Sequence, residues 1–339
     1  MTTNNTARWA HYCIILITIV LALFYLGNVI LPFILSLFLT ILLLPVVQFL
    51  DKLWFPKWLS ALIAVGLFTG IVGGIGFFLY DEINALIRNL PGMISKESAA
   101  IYHAEKIMSS PEVAAKVNEY SQDIINFGMG YLQKSVSYIS STLFMIAMIP
   151  VYIFFMLMSR DRVDAYLMSR HNENLEKTNT VVSDIKKSIQ KYIIGLTSVI
   201  IVVSTLLSIG LYFLDIPYWL LLGVLCGLLG LFPYIGVALG ALLPLTIAIL
   251  TKDALWYPIA VLGLFILVQF LEGNVITPNI IGNAVNINPV ALMLALLFMG
   301  VISGILGLIL TIPTLAVVRI LMESSDELRP YAKLLAHKE

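Results

Sequence analysis

Glu272 is the residue whose type and setting most invite chemistry. It stands in the segment Gln269-Phe-Leu-Glu272-Gly-Asn274-Val-Ile-Thr-Pro278, at the end of an apolar run that begins at Ala254. A charge that deep in hydrocarbon costs about 3 kcal/mol or more, so it needs a partner or a cavity. Asn274, Asn279, Asn283, Asn286 and Asn288 follow, closed by Pro289. An amide side chain carries both donors and an acceptor, so this cluster suits a polyol or a sodium ion beside a titrating carboxylate. The same residues also fit a polar loop, with Glu272 snorkelling at a helix end.

A second segment, Leu222 to Pro244, reads LGVLCGLLGLFPYIGVALGALLP. Gly223 and Gly227 are four apart, as are Gly236 and Gly240, a spacing that lets helices approach closely. Between the pairs sits Phe232-Pro233-Tyr234-Ile235-Gly236. Pro233 lacks an amide hydrogen and Gly236 permits a turn. A plain helix-turn-helix corner fits these residues. So does a discontinuous helix whose freed backbone groups and half-helix dipoles line a substrate site. The candidate substrate or ion pathway is therefore Pro233, Tyr234, Gly236, Gln269, Glu272, Asn274, Pro278, Asn283, Asn288 and Pro289. Gly300, Gly304 and Gly307 form a further close-packing face, and Pro313 interrupts the last apolar run.

Enzyme signatures are missing. The sequence has no G-x-S-x-G, H-E-x-x-H or G-x-x-x-x-G-K-[ST]. Ser183 and Lys186 match S-x-x-K without its companion motifs. The chain cannot drive transport by ATP on its own. His11, His103, His171 and His337 lie outside the apolar runs, which argues against an intramembrane haem or zinc site. Cys13 and Cys226 read as buried free thiols. No cofactor and no metal is expected.

The elements that must carry these residues are set by composition. Of 339 residues 60% are apolar and 12% charged, and the mean hydropathy is +0.95. A soluble domain carries about twice that charge fraction. No Asp, Glu, Lys or Arg occurs from His11 to Leu50, and only Asp215, Lys252, Asp253 and Glu272 occur from Tyr192 to Val318. This excludes a soluble enzyme and a nucleic-acid binder and predicts an all-α, polytopic helical membrane protein. A span needs roughly 20 helical residues. Tyr12–Leu31 and Phe33–Leu50 supply two, with a tight turn at Pro32 predicting an antiparallel pair. Trp58–Tyr80, Ser141–Met158 and Tyr192–Phe213 follow. Tyr218–Phe232, Ile235–Leu250, Ala254–Leu271 and Pro289–Val318 are apolar but cut by Gly, Pro and Asn. All five tryptophans sit at the ends of apolar runs, where an indole meets the headgroups.

Residues 1–80 thus read as three transmembrane helices and 81–140 as a polar insert. In the insert, Ser110-Pro111-Glu112 starts a helix with Val113, Val117, Tyr120, Ile124 and Phe127 on one face. Packing on its own bundle and lying on the membrane or a neighbouring subunit both fit that face. Residues 141–321 read as the transport region and 322–339 as a tail. Arg160, Arg162, Arg170, Lys177, Lys186, Lys187 and Lys191 make 160–191 basic and hence cytoplasmic. The insert is then external, and both termini are cytoplasmic. From Lys191 to Arg319 the chain must cross an even number of times, yet five apolar runs lie between. Either Tyr218–Phe232 re-enters, or Pro289–Val318 is two arms broken near Ser303 and Gly304.

From Ser188 to Leu321 the chain resembles the autoinducer-2 exporter family, a permease family of bacteria. The resemblance rests on Tyr192–Gly195, Leu231–Gly236, Gln269–Pro278, Gly282 with Val285 and Pro289, Gly304–Gly307 and Ile312-Pro313. The N-terminal layout is similar too. The resemblance implies about eight membrane segments, a bacterial inner-membrane location, a homo-oligomer with a pentamer among its states, and secondary transport. The family's name implies export of a furanone signal, and some relatives are linked to sodium–proton antiport.

Three readings follow. The first is a secondary transporter moving a small polar solute by alternating access, with Pro233–Gly236 and Glu272–Asn288 converging on one cavity. The second is a monovalent cation/proton antiporter titrating at Glu272. The third is a non-transporting oligomeric scaffold that works through its insert. The partners expected are membrane lipid, a small solute or ion, and further copies of the chain, with no nucleic acid.

Overall fold

The structure, a computed structural model, describes residues 2–93, 147–163, 165–166, 175–232, 235–282 and 287–336. Most of the polar insert, including its Pro111 helix, lies outside the described residues, as do Pro233, Tyr234 and Asn283. Among the described residues the secondary structure is helical, without a strand. Helix α1 is Thr2–Lys52, α2 is Lys57–Met93 and α3 covers residues 147–163. Helix α4 is Leu175–Phe213, α5 Trp219–Leu229, α6 Ile235–Thr251 and α7 Trp256–Leu271. A π-helical turn, Glu272–Ile276, joins α7 to α8, Thr277–Ile280. Helix α9 is Pro289–Ser324 and α10 is Arg329–Leu335. Five of these stretches are long and apolar enough to cross a bilayer: Phe24–Lys52, Lys57–Asn89, Thr178–Phe213, Trp256–Ile280 and Pro289–Ser324.

The turn expected at Pro32 is absent. Helix α1 runs through Pro32 and Pro45 for 51 residues. A proline costs a helix one hydrogen bond but does not have to end it where neighbouring groups take up the freed carbonyl. Pro45 cannot donate to the carbonyl of Ile41, and Gln190 of α4 does so instead, its Nε2 lying 2.8 Å from Ile41 O. Losing the turn also removes one expected crossing before Arg160, and the argument for a cytoplasmic N-terminus loses that support.

The chain divides into two units. The first holds residues 1–69, 143–194 and 283–339, the second 70–142 and 195–282. In the first unit Leu43 and Val47 of α1 bury against Ala61, Ala64 and Val65 of α2 and Ile153 and Leu157 of α3. The two alanines are fully buried, and their small side chains let the helices close up. One helical turn further in, Leu31, Phe38 and Ile41 of α1 meet Ile189 of α4 and Leu310 of α9. The basic stretch from Leu175 therefore runs unbroken into its span, with its apolar face packed. Ser36 and Thr40, both buried, donate to carbonyls four residues back, which keeps their hydroxyls satisfied inside an apolar seam.

In the second unit α5 is held by small residues on both of its sides. A Cβ at Gly223 or Gly227 would run into Ser208 or Ser204 of α4, so the pair lets α5 lie against a matching serine pair. On the other side, a Cβ at Gly240 of α6 would touch Cys226. Pro244 leaves the carbonyl of Gly240 without its helical donor, and the Cys226 thiol donates to it at 2.9 Å. This is the second proline in the protein whose orphaned carbonyl takes a side chain from a neighbouring helix.

Two helical hairpins result. Helix α5 has 11 residues, about 16 Å, too short for a hydrocarbon core of about 30 Å. Helix α6 lies back against it, and Lys252 after α6 bonds Asp215 before α5 at 2.6 Å. The second hairpin lies inside α9, where Gly304 has φ 59° and ψ −144°. In an unbroken helix residues eight apart are about 12 Å apart. Here a Cβ at Gly307 would collide with the Met299 carbonyl, so the arms fold back on each other. Asn288 N, at the start of the first arm, donates to Leu335 O of α10 at 2.7 Å, which brings the chain end back to the hairpin base. A short helix over Trp219–Leu229 and a break at Gly304 are thus both present.

A double-mutant cycle tests the proline account. Gln190→Leu should cost about 1–3 kcal/mol by leaving Ile41 O buried and unpaired. In a Pro45→Ala background, where residue 45 donates again, the same change should cost under about 0.5 kcal/mol. Denaturation followed by circular dichroism in micelles reads both; equal costs in the two backgrounds would refute the pairing. Acid should also loosen the first hairpin. Its bond to Lys252 holds Asp215 below the ordinary 3.8, so the contribution is complete at neutral pH and lost as pH falls through that lowered value. Amide exchange at the start of α5 should quicken there, and Asp215→Asn should abolish the pH dependence.

Candidate functional site

Four candidate residues lie on one helix in the second unit. Gln269 ends α7, Glu272 and Asn274 occupy the π-helical turn, and Pro278 sits in the first turn of α8. The π-helix has a local cause. Pro278 cannot donate to the carbonyl four residues back, and its ring presses on that carbonyl, so the turn before it widens. Thr277 N–H donates to Glu272 O, five residues back. The Asn274 amide donates to Phe270 O, four residues back, at 2.9 Å.

The widened turn changes what Glu272 presents. Its carboxylate is half buried and within hydrogen-bonding reach of the Gln269 side chain. Gly273 and Asn274 beside it are exposed, and a Cβ at Gly273 would meet nothing within 4 Å. The group stands eight residues, about 12 Å, from the end of the Trp256–Ile280 span. It is the one carboxylate between Asp253 and Glu323. A carboxylate, a primary amide and splayed carbonyls on one helix face can hold a proton, coordinate a monovalent cation, or hydrogen-bond a hydroxylated solute.

The other candidates have different places. Gly236 is buried in the first turn of α6, where a Cβ would run into the Leu229 carbonyl, so it sets the close return of the first hairpin. Asn288 and Pro289 belong to the first unit. Asn288 caps α9, its Oδ1 accepting from Val290 N at 2.9 Å, and Pro289 is the first helical residue. One of the two lone pairs of the Asn288 amide oxygen is therefore in use.

Residue spacing did not announce two features. One is the π-helix itself, whose signal is Pro278 six residues after Glu272. The other is Ser303 Oγ at the tip of the second hairpin, buried without a hydrogen-bond partner. Asp51 Oδ1, Ser60 Oγ, Arg160 Nη1 and Ser208 Oγ share that condition among the described residues. Ser303 alone of these adjoins a break in a helix, where Gly304 also frees backbone groups. An unmade hydrogen bond of this kind costs about 1–3 kcal/mol.

The family model for AI-2E family transporters matches residues 13–326. The chain is similar to YrrI of Bacillus subtilis, 29% identical over 338 residues that cover 93% of this chain and 94% of YrrI. It is similar to the AI-2 transport protein TqsA of Escherichia coli, 23% identical over 325 residues that cover 95% of this chain and 93% of TqsA. YueF of Bacillus subtilis is 27% identical over 297 residues, 81% of this chain and 78% of YueF.

The hairpin tip makes a testable demand. The backbone at Gly304 lies in a region that is essentially closed to other residues. Gly304→Ala should therefore cost about 1–3 kcal/mol in thermal or chemical denaturation. Gly263→Ala, on an open helical face, should cost nothing or stabilise slightly. Equal effects of the two changes would contradict the broken geometry of α9.

Proposed function

The chain belongs to the AI-2E family of transporters and is a multi-pass membrane protein, and from that premise we propose that it is a secondary transporter of the bacterial inner membrane. It moves a small polar solute by alternating access. The solute class includes the AI-2 signal, by likeness to TqsA. The observation that carries this reading is the interruption of three apolar helical segments where function would need it: the π-turn at Glu272, the α5–α6 return and the Gly304 tip. Non-helical backbone at membrane depth is tolerated only where it is buried in protein or lines a cavity, and broken helices are how secondary transporters build their binding sites. Glu272 is the ionisable coupling residue in this reading, with Gln269 orienting it.

A second reading has its own support. The isolation of Glu272 as a half-buried carboxylate favours monovalent cation/proton antiport, in which one group alternates between a proton and a cation. In both readings the protein works as a homo-oligomer, and the basic stretch Arg160–Lys191 and the C-terminal tail face the cytoplasm.

Proteoliposomes holding a pH-sensitive dye distinguish the two. Pulses of sodium, potassium or lithium should move protons in the wild type if it is an antiporter, and Glu272→Gln should reduce the rate at least tenfold. If cations leave the dye silent, efflux of labelled AI-2 should still depend on Glu272. Efflux that Glu272→Gln leaves unchanged would sink the assignment of that residue.

A further inference from the structure

We propose that the link between α1 and α2, together with the end of α3, is a docking site for the headgroups of anionic phospholipids. The link Leu53–Pro56 joins two stretches long and apolar enough to cross a bilayer, Phe24–Lys52 and Lys57–Asn89, and a link between two such spans lies at a bilayer surface. Leu53, Trp54, Phe55 and Trp58 are all exposed there, and Trp54 is 96% exposed. Trp54 holds φ 67°, a left-handed conformation that residues with a side chain rarely adopt, and this turns the indole out of the fold. An indole so placed sits at headgroup depth.

Charge surrounds these aromatic groups. Arg160 at the end of α3 bonds Asp51, and Lys57 bonds Asp161. Arg160 is largely buried and fixed by this pair and by Asp161 at 3.6 Å, whereas Lys57 and Asp161 are exposed. Lys52 and Arg162, both exposed, flank the two pairs. Among the described residues four cations stand against two carboxylates, and with Asp164, which lies outside them, the two stretches still carry one more positive than negative charge. A lipid phosphate is the anion that a bilayer presents at that depth, and each Lys or Arg near an acidic surface strengthens the attraction about fivefold. The proposal needs only the multi-pass character of the chain, so the Glu272 experiments leave it standing whatever their result.

Native mass spectrometry of the full chain in detergent, titrated with phosphatidylglycerol or phosphatidylcholine, tests it. The wild type should retain phosphatidylglycerol at least tenfold more tightly. Arg162→Gln, which leaves both ion pairs intact, should lower that preference about fivefold, and Lys57→Gln with Arg162→Gln roughly 25-fold. Lys57→Arg with Arg162→Lys should keep it. Trp54→Ala should weaken both lipids alike. A wild type without preference overturns the site. So does a preference that survives in variants with unchanged melting curves, since the lipid then binds elsewhere, as at Lys186 and Lys187.

Discussion

Everything in this protein is built around one constraint: inside a bilayer, a backbone group that leaves the helical ladder finds no water to replace its partner. Prolines and glycines that a soluble protein would place in loops stand here within apolar helices, and each has consequences that can be traced. Pro45 frees Ile41 O, and Gln190 reaches across from α4 to take it. Pro244 frees Gly240 O, and Cys226 takes that one. These contacts fix which helices must be neighbours. Gln190 gives α4 a polar reason to lie on α1 where Ile189 and Ile41 already give an apolar one. Cys226 does the same for α5 and α6.

Where no side chain repairs the ladder, the chain reverses. The α5–α6 return needs Gly236 because its Cα lies against the Leu229 carbonyl, and the α9 tip needs Gly304 because the turn takes a positive φ. Both hairpins are closed at the base by polar contacts, Asp215 with Lys252 and Asn288 with Leu335. The contacts hold each hairpin's base together, and the 11-residue α5 is held in place by them and by the serine pair on α4.

Composition made the fold class legible, because apolar runs of this length have one use. The glycine pairs were legible as packing faces because four-residue spacing puts both on one side of a helix, and Gly223 and Gly227 do meet Ser208 and Ser204. Pro32 was misleading for a physical reason. Proline in water marks a helix end, whereas in α1 the packing of Leu31, Ile34, Leu35 and Phe38 holds the helix together through it. Of the candidate site, Glu272 was visible as a lone carboxylate. Its π-turn was not, since the widening comes from a proline six residues away. Asn288 caps α9, and residue type alone does not separate an amide that caps a helix from one that binds a solute.

The repaired and unrepaired breaks differ in what they leave for function. At Pro45, Pro244 and the Phe270 carbonyl, a protein side chain already completes the hydrogen bonding, so a solute there would have to displace a bond before making one. Ser303 Oγ, beside Gly304, is buried without a partner, so that break carries a cost the repaired ones avoid. Glu272 stands between the cases: Gln269 reaches it, while the face beside Gly273 is open. Ligand contact is strongest where it relieves a desolvated group that is otherwise unmet. Glu272 would exchange one partner for another, which is what coupling to a proton or cation requires.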